Sequence, residues 1–262
     1  MSYETLLLEQ KDGIAHVKLN RPKAANAIDL QMGKDLMHLS IALDEDPSVR
    51  AVVIGAEGKM FCAGGDLASF ADSGDRIGAL LKELTTYLHA AISRFARMRA
   101  PVIAAVNGTA AGAGFSMMCA TDLAIAAESA KFAMAYTGVG LSPDGSSSYY
   151  LPRLIGTRRT LELMLTNRRL TAAEALDWGL VNQVVPDDEV EATALKLASQ
   201  LAAGPTASYD TVKKLVLASA SESLESQMEL ETRGIAGATH TADAKEGIRA
   251  FLAKEKPVFK GE

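Results

Sequence analysis

Val102-Ile103-Ala104-Ala105-Val106-Asn107-Gly108-Thr109-Ala110-Ala111-Gly112-Ala113-Gly114 is the stretch from which the fold is read. Five consecutive apolar residues, preceded by Pro101, have the length and character of a strand buried on both faces. The residues after them are mostly small, and a helix opens out of them through Met117 and Met118. The same order of parts occurs upstream. Ala51–Ile54 is a short apolar run, and a glycine-rich loop from Gly55 to Asp66 follows it. Downstream, Leu123–Ala126 reads as a third buried strand. Between the first two strands, Ile77, Leu80, Leu81, Leu84, Leu88, Ile92 and Phe95 recur at helical spacing from Asp75 to Met98. Buried strands alternating with helices predict an α/β fold with parallel strands and crossover helices.

The two ends of the chain read differently. Thr5–Glu9 and Ile14–Leu19 are strand-like, with Lys11-Asp12-Gly13 as the turn of a hairpin. Asn20-Arg21-Pro22 ends the second strand, and Asp29 is placed to cap a helix running to about Leu43. After Val181–Val185 no further strand is expected. Asp187–Ala203, Pro205–Ala220, Glu222–Ile235 and Ala242–Ala253 all read as helices. The expected division is a core over 1–195 and a helical region over 196–262.

Composition narrows the function. Lys and Arg number 27 against 32 Asp and Glu, a net charge of −5, so a basic nucleic-acid footprint is absent. Met1 to Gly13 carries no basic segment of a secretory signal, and the apolar runs fall short of the roughly 20 residues of a membrane span. A cytoplasmic protein without membrane or nucleic-acid partners is expected. Two cysteines, Cys62 and Cys119, and four scattered histidines provide neither a disulfide framework nor a metal motif. Gly112-Ala113-Gly114 lacks the third glycine of a dinucleotide fingerprint, because Met117 stands there. Gly114-Phe115-Ser116 lacks the closing glycine of a nucleophile elbow, because Met118 occupies it.

Two small-residue loops remain, Gly58-Lys59-Met60-Phe61-Cys62-Ala63-Gly64-Gly65-Asp66-Leu67 and Asn107–Gly114. Singly, each is explained by tight turns and close helix packing. Together they suggest paired backbone N–H donors facing one ligand oxygen, aided by a helix N-terminus. At this point the sequence resembles the crotonase, or enoyl-CoA hydratase/isomerase, superfamily. The resemblance rests on both loops, on Asn20-Arg21-Pro22-Lys23-Ala24 with Asn26-Ala27, and on Leu170-Thr171-Ala172-Ala173-Glu174-Ala175 with Trp178-Gly179-Leu180-Val181. It covers nearly the whole chain. It implies a spiral of ββα turns with a C-terminal helical region that forms trimers or hexamers. It also implies an acyl-CoA thioester as substrate, with coenzyme A as part of that substrate and no separate cofactor. The oxyanion hole implied is the N–H of Gly65 with that of Ala113. Coenzyme A would lie against Lys23, Ala24, Ala63, Asp66 and Leu67, although Asp66 also suits a helix cap. The tail from Phe251 to Phe259 matches one that contacts coenzyme A in some relatives.

The departures from the family are informative. Its hydratases use two glutamates, and the corresponding positions here are Ser116 and Tyr136, neither of which replaces a carboxylate at neutral pH. These two are expected to line the substrate pocket. A carboxylate does stand nearby, in Gly140-Leu141-Ser142-Pro143-Asp144-Gly145-Ser146. Asp144 suits a cap for the helix carrying Tyr149, Tyr150 and Leu151. Some isomerase branches, however, place their acid/base aspartate here. Pro143-Asp144-Gly145 with Leu151-Pro152-Arg153 is similar to the ring-opening isomerases of phenylacetate degradation, which also shift 3-enoyl-CoA double bonds. The expectation is therefore an isomerase with Asp144 as its base. The alternatives are a 2-enoyl-CoA hydratase and a non-catalytic acyl-CoA-binding homologue. Thr160 to Arg168 and Asp177-Trp178-Gly179-Leu180 are similar to the 4-chlorobenzoyl-CoA dehalogenase branch, whose aspartate is a nucleophile. That branch has a tryptophan where Tyr136 stands and a histidine in the helix before Pro101, a neighbourhood read here as Ser93-Arg94-Phe95. Both differences count against dehalogenation.

Overall fold

The computed structural model describes residues 3–262. A hairpin of β1 (Leu6–Lys11) and β2 (Ile14–Leu19) leads into α1 (Leu30–Glu45), which Asp29 caps by accepting the Met32 N–H at 2.8 Å. Three turns of a spiral follow. The first is β3 (Ala51–Ala56) and β4 (Met60–Cys62), continuing into α2 (Leu67–Asp72) and α3 (Ile77–Arg97). The second is β5 (Val102–Val106), β6 (Thr109–Ala111) and α4 (Gly112–Cys119). The third is β7 (Leu123–Ala127) and β8 (Lys131–Ala133), then a long loop to α5 (Ser147–Ile155). Next come α6 (Thr157–Thr166), β9 (Leu170–Thr171), α7 (Ala172–Asp177) and β10 (Gln183–Val185). The chain ends in helices: α8 (Val190–Ala202), α9 (Thr206–Ala218), α10 (Leu224–Ala238) and α11 (Ala242–Ala253).

Each spiral turn gives one strand to each of two sheets. The larger runs β1-β2-β3-β5-β7-β10, parallel except for the hairpin, and the smaller runs β4-β6-β8-β9, parallel except for β8 with β9. β5 is buried throughout, as its unbroken apolar run requires, and α8 packs across β2, β3, β5 and β7. In the core, the fully buried rings of Phe115 and Phe132 meet with centroids 5.6 Å apart. The expected boundary at residue 195 falls inside α8, whose Ala194 and Ala198 are buried in the core.

This topology positions the site. Because β4, β6 and β8 run parallel in one sheet, the segments leaving their carboxyl ends emerge side by side. Those segments are the Ala63–Asp66 loop, the start of α4 and the loop that carries Tyr136 and Asp144.

Candidate active site

The first loop is held from below by Asn26, which is fully buried. Its side-chain amide donates to the carbonyls of Glu57 and Met60, both at 2.8 Å, and its oxygen accepts the Arg21 N–H. The loop then pairs with the segment after Asn26. Ile28 N–H donates to Gly64 O at 2.7 Å and Asp66 N–H to Ile28 O at 3.0 Å. Among the described residues, no main-chain acceptor takes the Gly65 N–H that lies between them. Ala113 is in the first turn of α4, where N–H groups have no partner within the helix. The two loops touch: a Cβ placed on Gly64 would lie 3.1 Å from Ala111 O and 3.5 Å from the Ala113 nitrogen. Gly64, at φ +101°, and Gly112, at φ +49°, adopt backbone that side chains disfavour, so this approach needs glycine at both places.

Gly65 and Ala113 face one cavity of about 340 Å³. Its walls are mainly apolar, with Phe70 packed over Gly65, and with Leu84 and Leu88 of α3 and Leu141 of the third loop. Among the described residues, Asp144 is the one acid that lines it. Ala63, Leu67 and Tyr136 also line it. Lys23 and Ala24 stand beside it rather than in its wall, on the turn whose Ala25 carbonyl accepts the Ala63 N–H.

Two expectations, and the alternative reading of Asp144 as a cap, are corrected. Asp144 does not cap α5: its side chain accepts the Tyr136 hydroxyl at 2.6 Å, and the residue before the helix, Ser146, makes no side-chain cap. Only the Asp144 carbonyl serves the helix, accepting from the Ser147 N–H and hydroxyl. Ser116 does not line the cavity. It is fully buried behind Tyr136, with its hydroxyl 3.0 Å from the phenol oxygen and 3.2 Å from Gly112 O. Finally, the helix before Pro101 does offer a histidine. It is His89, one helical turn before Ser93, and its Nε2 lies 3.5 Å from Asp144 Oδ2 and accepts the Gly145 N–H at 3.2 Å. The spacing that hides it in sequence also reveals it: Thr85, His89, Ser93 and Arg97 recur every four residues, a polar stripe beside the buried face of Leu84, Leu88 and Ile92.

Asp66, for its part, caps α2 by accepting the Ser69 N–H at 3.2 Å and pairs with Arg21 at 3.0 Å. Tyr136 is held neutral. Burial, and then the charge of Asp144, push its phenol far above its ordinary value, so it is a hydrogen-bond donor and not a base. The chemistry available is thus one carboxylate, oriented by a phenol and flanked by an imidazole, facing two open amides across an apolar cavity.

The chain belongs to the enoyl-CoA hydratase/isomerase family, the crotonase superfamily, whose model it matches over residues 9–262. Among its relatives, it is 38% identical over 255 residues to 4-chlorobenzoyl coenzyme A dehalogenase-2 of an Arthrobacter species, covering 95% of this chain and 90% of that one. It is 35% identical to the 1,2-epoxyphenylacetyl-CoA isomerase of Escherichia coli K12, with 99% of both chains covered. The crystal structure of an enoyl-CoA hydratase from Polaromonas sp. JS666 superposes with a TM-score of 0.93 at 33% identity, covering 97% of this chain and 99% of that one.

Proposed function

We propose that the protein is an acyl-CoA isomerase that moves a double bond from 3-enoyl-CoA to 2-enoyl-CoA, or performs a related ring-opening isomerisation. The observation that carries this reading is the single carboxylate. Among the described residues, Asp144 is the only acid lining the cavity that Gly65 and Ala113 face, whereas hydration by the family's usual route needs two. A thioester carbonyl hydrogen-bonded to the Gly65 and Ala113 N–H groups gains charge as its α-carbon is deprotonated, and fixed donors stabilise that charge. Asp144 takes the α-proton and returns it to C4, a shuttle that one base can perform. Coenzyme A would run over Ala63 and Leu67, with Lys23 and Ala24 at the rim and no added cofactor.

Mass spectrometry after separate incubations with 3-enoyl-CoA and 2-enoyl-CoA tests this. The expected result is an unchanged mass with the double bond moved, and no water added to the second substrate. In Asp144→Asn, turnover should fall by about 100-fold or more while stability changes little, because the native carboxylate caps nothing. Water added to 2-enoyl-CoA with 3-enoyl-CoA inert would identify a hydratase instead. Binding of both with no reaction would identify a non-catalytic homologue.

His89 beside Asp144 favours a second reading, dehalogenation of a 4-chlorobenzoyl-CoA-type thioester with Asp144 as nucleophile. Tyr136 stands where that branch has tryptophan and argues against it, although both side chains can donate a hydrogen bond. Chloride release from 4-chlorobenzoyl-CoA, with 3-enoyl-CoA inert, would decide for this reading.

A further inference from the structure

The wall behind Asp144 has two sides. Leu88 and Asp144 face the acyl cavity, and their chain neighbours His89 and Gly145 face a second cavity of about 660 Å³. A water occupies about 30 Å³ of liquid, so the second cavity holds many. Its lining includes Ser93, Ser146, Tyr149 and Tyr150 and the cations Arg97 and Lys214, with no acid among the described residues. The Asp144–His89 contact is the place where the two cavities come together. The carboxylate is divided between them: Oδ1 accepts from Tyr136, and Oδ2 lies 3.5 Å from His89 Nε2. The imidazole side chain is half exposed. Because Nε2 accepts the Gly145 N–H, the ring in this arrangement carries its proton on Nδ1 and keeps the Nε2 lone pair beside Asp144.

We propose that His89 is a proton relay and the second cavity is its water port. The inference rests on Asp144 as the base that accepts the substrate's α-proton. In the step, Asp144 as carboxylic acid gives its proton to Nε2, leaving a carboxylate and an imidazolium. The Nε2 proton of the imidazolium passes to water in the second cavity and water returns a hydron to the same nitrogen, since exchange at Nδ1 alone would hand the original proton back. The return transfer from Nε2 then delivers a solvent proton to Asp144, and from there to C4 or back to the α-carbon. No atom or charge is gained or lost except the exchange of one hydron for another. A one-base shuttle without this route would keep the abstracted proton within the acyl cavity.

The readout is deuterium incorporated per product formed when the full-length enzyme converts a 3-enoyl-CoA in heavy water. In the wild type, a large share of turnovers should carry solvent deuterium. His89→Gln removes the relay but keeps a polar side chain, and should lower deuterium per turnover by about fivefold or more. Ser93→Trp narrows the port one helical turn from His89 without replacing His89 or Asp144, and should lower the same ratio by about threefold or more. This second variant carries the test if the first does not fold. A merely structural role for His89 would change rate or stability and leave the ratio alone. An unchanged ratio in both variants, or a wild type with almost no incorporation, overturns the relay. Failure of the base assignment is separate, because it appears as undiminished isomerisation and exchange in Asp144→Asn.

Discussion

Tyr136 shows how one side chain acts through another. Its hydroxyl has one proton, and with Asp144 Oδ1 at 2.6 Å that proton is committed to the carboxylate. Ser116, fully buried, completes the chain by offering its own hydroxyl to the phenol oxygen or to Gly112 O. Tyr136→Phe removes the bond without opening a cavity. A hydrogen bond to a charged group is worth about 1.5–3 kcal/mol, so kcat should fall by about 10–100-fold through loss of carboxylate orientation. KM should stay nearly constant, because the amides that would bind the thioester are untouched. A proportional rise in KM in steady-state kinetics would instead make Tyr136 a substrate contact. At this scale the sequence was only partly legible. Asp144 was found as the one carboxylate near the expected glutamates, yet its rival role as a cap could be discarded only from the direction of its side chain. His89 was missed because the contact spans 55 residues of chain, and no local spacing links it to Asp144. Ser116 was misplaced because burial behind a neighbour leaves no mark on sequence.

The long elements were legible and the short ones were not. β5 and α3 announce themselves by an unbroken apolar run and by helical periodicity. By contrast, β4, β6 and β8 have three residues each and β9 two, too few for any period to register, so the first two were absorbed into the glycine loops. Those loops do come together, since Gly64 and the Gly112–Ala113 turn touch. Ala113→Pro removes the donor at a position where the helix does not need it. Turnover should drop by about 100-fold or more with the circular dichroism unchanged, while Ala113→Gly should be mild. Full activity in the proline variant would relocate the donor. Further along, α9 is fastened to the core by Lys213, whose buried ammonium donates to Phe95 O and Ala100 O and pairs with Asp122 at 2.7 Å. Burial raises the Asp122 carboxyl above its ordinary range, against the pull of Lys213. A raised folded-state value means the native state binds that proton more tightly than the unfolded chain, so this group's contribution to stability declines as pH rises. Lys213→Met strands Asp122 and should cost about 2–4 kcal/mol in urea denaturation at neutral pH. The deficit should shrink on acidification, when Asp122 becomes neutral. A deficit that grows toward acid would show that the pair is not the source of the loss.

At the scale of the molecule, the C-terminal helices look unfinished. α10 buries none of its residues, and Leu224, Met228 and Ile235 are exposed along it. On α11, Ile248, Phe251 and Leu252 are exposed as well, Phe251 at 82%. Leu215 and Leu217 are only half-buried, Leu217 within the second cavity. Isolated apolar side chains on a surface are ordinary, but several large ones on each of two successive helices suit an interface. Closed symmetric assembly is the usual way for copies of one chain to cover such a face. We expect a trimer or a dimer of trimers, giving three or six times the 27.7 kDa chain mass by light scattering at micromolar concentration. Placing charge in the face, as Ile235→Asp with Ile248→Asp, should dissociate it, since burying unpaired carboxylates is costly. Because both positions lie outside the two cavities, the dissociated variant also asks whether one subunit holds a complete site. Isomerisation at an undiminished rate per chain would place the whole reaction within the spiral, and a monomeric wild type would remove the interface altogether.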